Sequence, residues 1–299
     1  MNHFLGYVIW TVDPVAFSIG QFDVRWYGIL LATGFVLAYF TLQKIFKVEK
    51  LSQTLLDNLS MWTIVWTLVG LRIGHFLFYE RDYFIKAPLQ IFLPFDENWN
   101  FIGYQGLASH GAVIGIILFV IYFAWKHKMN IFWLLDRLSV AVMIAAAFVR
   151  IGNLMNHEIV GNITDVAWAF DFTHGGWDGH GQPIAGTFRH PAQLYEALVY
   201  IMTYFGLITY YFKYAKGNVP PGRTTGILLI VVFGARFIIE FFKEVQVQKE
   251  LGMTLDIGQL LSIPFVLLGI GLLIYSIVNR NKIPHYVEPP VPEKTGKEK

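Results

Sequence analysis

Cysteine is absent from the 299 residues, and charged side chains are scarce at 15%. The absence of cysteine excludes disulfides, thiolate metal sites and a cysteine nucleophile, so a thiol in any reaction must belong to the substrate. The charged fraction is well below the roughly 25% that is usual in a soluble domain. A net charge of +2 is also too small to favour nucleic acid as a partner.

Apolar residues dominate the composition. Hydrophobic side chains make up 55% of the chain, aromatic side chains 17%, and the mean hydropathy is +0.48. Several apolar runs approach the roughly 20 residues that a helix needs to cross a bilayer. They cover residues 25–45, 59–79, 106–126, 131–151, 192–213, 225–243 and 257–279. We therefore predict an all-α fold, a polytopic membrane bundle of about seven transmembrane helices.

Lysine and arginine are distributed unevenly between alternate loops. One set of loops and the tail hold thirteen of them: Lys44, Lys47, Lys50, Lys126, Lys128, Lys213, Lys216, Arg223, Arg280, Lys282, Lys294, Lys297 and Lys299. The other set holds five: Arg81, Lys86, Arg189, Lys243 and Lys249. Because loops rich in basic residues stay in the cytoplasm, we predict an external N-terminus and a cytoplasmic C-terminus.

The connection between the fourth and fifth runs is unusually long. Residues 152–190 are rich in Gly, His and Trp, and loops of this length tend to carry function. We expect them to form a small external cap within a single integral membrane domain of residues 1–283. The outer loop 80–105 is expected at the membrane interface. Residues 284–299 are rich in Pro and charge, which predicts a disordered cytoplasmic tail.

The most polar stretch lies at the end of the fourth run. It contains Arg150, Asn153, Asn156, Glu158 and Gly161. Burying a charged side chain at the centre of a membrane helix costs about 2.5–3.5 kcal/mol on insertion scales. Residues three or four apart share a helix face, so Arg150 and Asn153 can act together. This cluster is therefore interpreted first as a site.

Two further polar groups lie in the first and second runs. Tyr27 begins the first run and is a candidate site residue, although interfacial aromatic belts also use tyrosine. Arg72 and His75 lie three apart in the second run. They form either part of a site or an internal polar anchor, and Gly70 and Gly74 beside them favour a close helix contact.

The third and sixth runs also carry polar residues. His110 is flanked by small residues and its pKa suits proton transfer near neutrality, although a lone histidine in apolar surroundings is often structural. Arg236 and Glu240 are four apart and could form a helix-stabilising pair. Since Arg before Glu is the poorer order for such a pair, we expect Arg236 to have a separate partner.

Two guanidiniums at the outer membrane edge match the oxygens of a phosphate. A phosphate at this depth belongs to a phospholipid headgroup. The same residues would also serve a carrier that binds an anionic headgroup and leaves the lipid chemically intact.

Several motifs in order resemble those of the bacterial prolipoprotein diacylglyceryl transferases. The matching blocks are Trp26-Tyr27-Gly28, Gly70-x-Arg72-x-Gly74-His75, His110-Gly111, Asp136, Arg150-Ile151-Gly152-Asn153, Asn156-x-Glu158-x-x-Gly161, Arg189-His190-Pro191-x-Gln193-Leu194-Tyr195-Glu196 and Arg236-Phe237-x-x-Glu240-Phe241. The resemblance covers nearly the whole chain, apart from the extreme N-terminus, the loop 82–99 and the tail.

Four positions depart from the family pattern. Val149 and Ala112 stand where the family usually has Gly, and Leu154 stands where Phe is usual. Val232 stands four residues before Arg236, where the family often has a Tyr. A catalytic role for that Tyr is therefore not carried over to this chain.

The resemblance implies transfer of a diacylglyceryl group from phosphatidylglycerol to the lipobox cysteine of a preprolipoprotein signal peptide, in the bacterial inner membrane. Arg150 and Arg236 would hold the phosphate, and Asn153 and Asn156 would orient the headgroup. His110 is the candidate base, with Glu158 and Tyr27 as alternatives. The remaining residues expected to bind substrate are Gly161, Glu240, Arg72 and His75. No metal or other cofactor is implied.

Overall fold

The computed structural model describes residues 6–20, 22–79, 109–244 and 254–288. The chain divides into two compact units. The first comprises Met1–Ile45 and Asp136–Pro284, and the second comprises Phe46–Leu135 and His285–Lys299. The outer loop 80–105 and the tail beyond residue 288 lie outside the described residues.

Seven α-helices account for most of the described residues. They are α1 Trp26–Val48, α2 Gln53–Tyr79, α3 Ser109–Lys126, α4 Ile131–Met155, α5 Ala192–Thr209, α6 Arg223–Glu240 and α7 Ile257–Val278. Helix α5 continues as a π-helix over Tyr210–Ala215. A helix therefore occupies most of each predicted apolar run.

Four of these helices are long and apolar enough to cross a membrane: α1, α2 over Gln53–Leu77, α4 and α7. The chain is accordingly a multi-pass helical membrane protein. The apolar part of α3 is shorter, spanning Gly111–Lys126. Helices α5 and α6 have 18 residues each and carry charged side chains.

In the first unit, α4 holds the beginning of α6 through a buried carboxylate. Asp136 is fully buried and accepts hydrogen bonds from the backbone amides of Gly222 and Thr225, at 2.7 and 3.0 Å. It also accepts from the hydroxyls of Thr224 and Thr225, both at 3.0 Å. The first amides of a helix lack partners within the helix, and a carboxylate there also complements the helix dipole. This Asp136 cap fixes the start of α6 against α4.

In the second unit, α2 and α3 cross at glycines, as the sequence predicts for Gly70 and Gly74. A Cβ at Gly70 would overlap the backbone of Gly111, and one at Gly111 would overlap the backbone of Gly70 and Gly74. Glycine at these positions therefore allows the two helix backbones to touch.

The beginning of the predicted tail also packs in this unit. Glu288 accepts hydrogen bonds from the amide and hydroxyl of Ser52, at 2.8 and 2.7 Å, just before α2. The Tyr286 ring lies 5.8 Å from the ring of Trp133. These contacts involve only the first residues of the segment that the sequence predicts as disordered.

Five short strands add to the helices in the first unit. They are β1 Val8–Trp10, β2 Val15–Ile19, β3 Phe22–Arg25, β4 Phe170–Phe172 and β5 Phe188–Arg189. Strand β4 pairs in parallel with β1 and antiparallel with β5, while β2 and β3 form a hairpin. The all-α prediction did not include these strands, because runs of two to five residues are too short to show a periodicity.

Strands β4 and β5 belong to residues 156–190, here called the connecting segment, between α4 and α5. A small apolar core supports this segment. It consists of Leu154, Val160, Phe170, Phe172 and Ile184, with Val8, Trp10 and Leu194 packed against it. The connecting segment is thus anchored to the ends of α4 and α5.

Candidate active site

The chain turns sharply directly after α4. His157 and Ile159 have φ angles of 55° and 59°, in the left-handed region. Such angles are uncommon for residues other than glycine; Asn, Asp and His adopt them more often than most, whereas a β-branched residue such as Ile159 rarely does. Holding a residue there costs about 1–3 kcal/mol. The two residues flank Glu158, and His157–Ile159 is called the strained turn below.

Hydrogen bonds from three directions hold the strained turn. The Glu158 amide donates to the Asn153 carbonyl at 3.1 Å. The Gln193 Nε2 donates to the Glu158 carbonyl at 2.6 Å. His157 Nδ1 accepts from the His174 amide at 3.3 Å, which leaves Nε2 to donate to the Val12 carbonyl at 2.7 Å.

The carboxylate of Glu158 meets two carboxamides. Its Oε1 accepts from Asn153 Nδ2 at 2.8 Å and from Asn156 Nδ2 at 3.4 Å. Asn153 is buried, whereas Glu158 is exposed. Two of the predicted residues, Asn153 and Asn156, therefore converge on the carboxylate of the third, Glu158, which is open to a ligand.

Arg150 links this group to the buried interior. Its Nη1 donates to Asn153 Oδ1 at 3.3 Å, and its Nε pairs with Glu196 Oε2 at 2.5 Å. Glu196 is only 1% exposed and pairs through its other oxygen with Lys243 at 3.4 Å. Lys243 also pairs with Glu240 at 3.4 Å. Burial of this many charges is tolerated because each cation faces a carboxylate.

Arg236 has different surroundings from Arg150. It is half-buried on α6, and no carboxylate within the described residues forms an ion pair with it. Glu240 pairs with Lys243 instead and packs against Gly258 at the start of α7. The helix-stabilising pair between Arg236 and Glu240 is thus not formed, but the separate ion-pair partner expected for Arg236 is not found among the described residues either.

Tyr200 lies near both arginines. It is 6% exposed on α5 and interacts electrostatically with Arg150, Glu196 and Arg236. The structure therefore brings both predicted arginines to one buried neighbourhood in the first unit.

Tyr27 also faces this neighbourhood. Its ring packs on Gly152 of α4, where a Cβ would overlap it, and its hydroxyl interacts electrostatically with Glu158 and Arg150. Trp26 beside it is 38% exposed. The adjacent aromatics therefore have different surroundings, and Tyr27 lies beside the cluster rather than only in an interfacial belt.

Gly161 has a clear packing role. Its amide donates to the His190 carbonyl at 2.8 Å, and a Cβ would overlap both His190 and the Phe242 carbonyl. Gly161 is therefore required for close backbone approach.

Arg189, which the sequence analysis counted among the outer loops, is fully buried in the connecting segment. It pairs with Asp178 at 2.8 Å and with Glu244 at 2.9 Å. Although burial raises the pKa of Asp178, hydrogen bonds from the Gln182 amide and from Arg189 lower it overall. Beside these groups lies a cleft of about 240 Å³, with Ile159, Val160, Trp177, Gly179 and Ile184 in its walls.

The other predicted residues belong to the second unit. Arg72 is buried on α2, with its guanidinium 4.9 Å from the centre of the Phe76 ring. The His75 ring meets the same Phe76 edge to face, at 5.3 Å. His110 falls in the first turn of α3, and its side chain lies outside the described residues.

The sequence analysis assigned no functional role to four residues of the cluster. They are Gln193, Glu196, Tyr200 and Lys243. Gln193 and Glu196 stand in a quoted motif, and their polarity within an apolar run was the available signal. Lys243 was assigned to an outer loop, since a helix end and a loop are indistinguishable by basic residues alone.

Buried cations and carboxylates on membrane helices, beside an exposed carboxylate held by amides, are features of an integral membrane protein with a polar candidate site. Comparison with known proteins narrows this class. Residues 14–275 match the family model described as prolipoprotein diacylglyceryl transferase. The chain belongs to this family and is a membrane transferase.

Several relatives are named phosphatidylglycerol–prolipoprotein diacylglyceryl transferase. The protein from Bacteroides fragilis is 38% identical over 274 residues, covering 90% of this chain and 95% of the relative. That from Tolumonas auensis is 40% identical over 270 residues, covering 90% and 97%. That from Chloroherpeton thalassium is 36% identical over 272 residues, covering 91% and 95%. The predicted family and enzyme class are confirmed, and the non-enzymatic carrier is not supported.

Proposed function

We propose that the chain transfers the diacylglyceryl group of phosphatidylglycerol to the lipobox cysteine of preprolipoproteins. The observation that carries this proposal is the convergence of Arg150, Asn153, Asn156 and Glu158 in a chain of this family. The relatives carry both substrates in their name.

The reaction is a displacement at carbon. The cysteine sulfur attacks the diacylglycerol carbon that bears the phosphate, so a C–S bond forms and a C–O bond breaks. The bonding electrons leave with glycerol phosphate, and the thiol proton passes to a base. The site must therefore supply positive charge for the phosphate and an acceptor for the proton.

Arg150 and Arg236 form the proposed phosphate clamp. Arg236 contributes a guanidinium that no carboxylate within the described ranges neutralises. Arg150 is oriented by Glu196 and Asn153, as a planar fork with five donors allows. Lys243 pairs with the same Glu196 carboxylate. This carboxylate therefore neutralises the Arg150 charge only in part, and the remainder is available to a ligand.

Asn153 and Asn156 would orient the headgroup through amide hydrogens and oxygens that Glu158 does not use. Gly161 supports this region by allowing close backbone approach, and Glu240 supports it by pairing with Lys243. Arg72 and His75 are also proposed to contribute to substrate binding.

Three residues are candidates for the base that accepts the thiol proton. His110 is the first candidate because imidazole accepts a proton near neutral pH. Glu158 is exposed and hydrogen-bonded only through one oxygen among the contacts above, and Tyr27 lies beside it. Each could accept the thiol proton if the substrate sulfur comes within hydrogen-bond distance.

The arrangement in the membrane is part of the proposal. All seven helices would cross the bacterial cytoplasmic membrane, with the N-terminus outside and the C-terminus in the cytoplasm. The connecting segment would then form an external cap above the site. Residues 289–299 would extend as a cytoplasmic tail.

Incubation of the purified protein with phosphatidylglycerol vesicles and a lipobox peptide tests the proposal directly. We expect the peptide mass to rise by one diacylglyceryl group and glycerol phosphate to appear in equal amount. A peptide with serine in place of the cysteine should stay unmodified, because a hydroxyl is a much weaker nucleophile than a thiol. Tight lipid binding without either product would instead identify a carrier.

A further inference from the structure

The turn that presents Glu158 is held by a side chain to which the reaction assigns no role. Gln193 lies at the start of α5, is fully buried, and donates from Nε2 to the Glu158 carbonyl at 2.6 Å. Because a carbonyl can only accept a hydrogen bond, the amide nitrogen must face it. The Gln193 oxygen is buried without a partner among the described residues.

The bond from Gln193 acts at the most strained point of the chain segment. The Glu158 carbonyl lies between two residues other than glycine with positive φ, His157 and Ile159. Such conformations persist only where surrounding contacts determine them. The carboxylate of the same Glu158 accepts hydrogen bonds from Asn153 and Asn156. A bond to the backbone of Glu158 therefore also determines where this carboxylate lies.

We propose that Gln193 is a positioning residue of the transferase site, whose side-chain amide holds the strained turn and so fixes the Glu158 carboxylate against Asn153 and Asn156. The inference rests on the proposed transfer reaction. Gln193 touches no reacting atom in this proposal and acts only through Glu158.

A double-mutant cycle with Glu158 tests this role. Gln193→Met keeps the length of the side chain but removes the donor, and we expect the transfer rate to fall about tenfold. In a Glu158→Gln background the same change should cost less than about twofold, because the carboxylate it positions is already gone. Equal fold-losses in both backgrounds would show a packing role and overturn the proposal.

Relief of strain provides a second measurement that does not depend on the slow Glu158→Gln background. Gly tolerates the φ of 59° found at Ile159. Ile159→Gly should therefore make the turn less dependent on Gln193, and the Gln193→Met/Ile159→Gly protein should transfer severalfold faster than Gln193→Met. A double variant no faster than Gln193→Met would contradict the role, provided both insert and elute as folded protein.

Thr203→Val is the matched control. Thr203 is buried on the same helix and donates to the Val199 carbonyl at 2.7 Å, away from the turn. Loss of this buried donor should leave transfer within about twofold of wild type. Wild-type transfer in the same assay tests the proposed reaction separately, so failure of the Gln193 role and failure of the reaction are distinguishable.

Discussion

At the scale of single residues, the two arginines of the cluster have different surroundings. Arg150 is bound by Glu196 and Asn153, whereas Arg236 pairs with no carboxylate in the described part of the chain. Lysine keeps the charge but cannot contact two partners and a phosphate with one planar fork. We expect Arg150→Lys to lower the transfer rate about 100-fold while the protein still inserts.

Initial rates at saturating phosphatidylglycerol, with melting in detergent as the folding measurement, check this prediction. Arg223→Lys is the matched control, since Arg223 bonds to Ser276 and Tyr210 at the opposite end of α6. Near-wild-type turnover of Arg150→Lys would leave Arg150 as a packing element.

A clamp made of two residues predicts non-additive losses. If Arg150 and Arg236 hold the same phosphate, the double Lys substitution should reduce transfer by less than the product of the two single reductions. The same rate assay measures all four proteins. Multiplicative losses would mean that the two guanidiniums act at separate steps or separate ligands.

His110 is tested as the base by a substitution that removes its basicity. His110→Gln retains hydrogen bonding but not basicity near neutral pH, so we expect transfer to fall about 100-fold or more in a normally folded protein. The pH profile of the residual activity should lose its limb near neutrality. Full activity would direct attention to Glu158 or Tyr27.

At the scale of secondary-structure elements, the Asp136 cap is the contact most open to a stability test. Asn retains one acceptor oxygen but loses the charge that four donors share. We expect Asp136→Asn to destabilise the protein by about 1–2 kcal/mol, as the loss of a helix cap does. Thermal unfolding in detergent measures the change, with the exposed Asp165→Asn as control. Equal melting temperatures for the two variants would contradict a stabilising cap.

The connecting segment should make stability depend on pH. Burial lowers the pKa of His157 and of His190. Between the lowered pKa and the ordinary value of about 6.5, the unfolded chain binds more protons than the folded chain. Stability is therefore complete above about pH 6.5 and falls as the pH falls below it.

Melting temperatures at neutral pH and at about pH 5 measure this dependence. His157→Asn supplies the comparison, because Asn tolerates a positive φ but does not titrate in this range. The variant should be less stable at neutral pH yet lose less on acidification. An equally steep loss in the variant would exclude His157 as a source of the dependence.

The elements differ in how far the sequence predicted them. A helix lies in each of the seven apolar runs, because an apolar stretch of that length has few other ways to satisfy its backbone. None of the five strands was predicted, since they are short and some depend on partners distant in sequence. Strand β4, for example, pairs with β1, and Val8 is opposite Phe170.

At the scale of the whole molecule, the orientation remains a prediction. It depends on the thirteen-to-five distribution of basic residues between alternate loops. A reporter fused after Lys282 should be active only in the cytoplasm, and one inserted near Gly176 only outside. Both reporters on the same side would contradict an odd number of spans between them. Two of the five basic residues in the smaller set, Lys243 and Arg189, are buried in ion pairs and are not free loop charges.

The candidate site shows the same division between local and long-range information. Asn153, Asn156 and Glu158 were predicted together because they are close in sequence, and they share one carboxylate in the structure. Glu196 lies 46 positions after Arg150, so no local spacing indicates their pairing. The strained turn was not predictable either, because Ile159 is β-branched and so a poor candidate for the positive φ that it adopts.

The Asp136 cap has a mechanical consequence for the two arginines. Asp136 and Arg150 both lie on α4, and Arg236 lies on α6, whose start is held by Asp136. Each arginine is therefore about 20 Å along its helix from the Asp136 cap, which acts as a shared pivot. A change of about 5° between the helices at the pivot would move one arginine relative to the other by about 1.7 Å. Misplacement of this size is enough to cost an enzyme about 100-fold in rate. Tolerance for variation should therefore be low at Asp136, although it lies about 20 Å along the helix axis from Arg150.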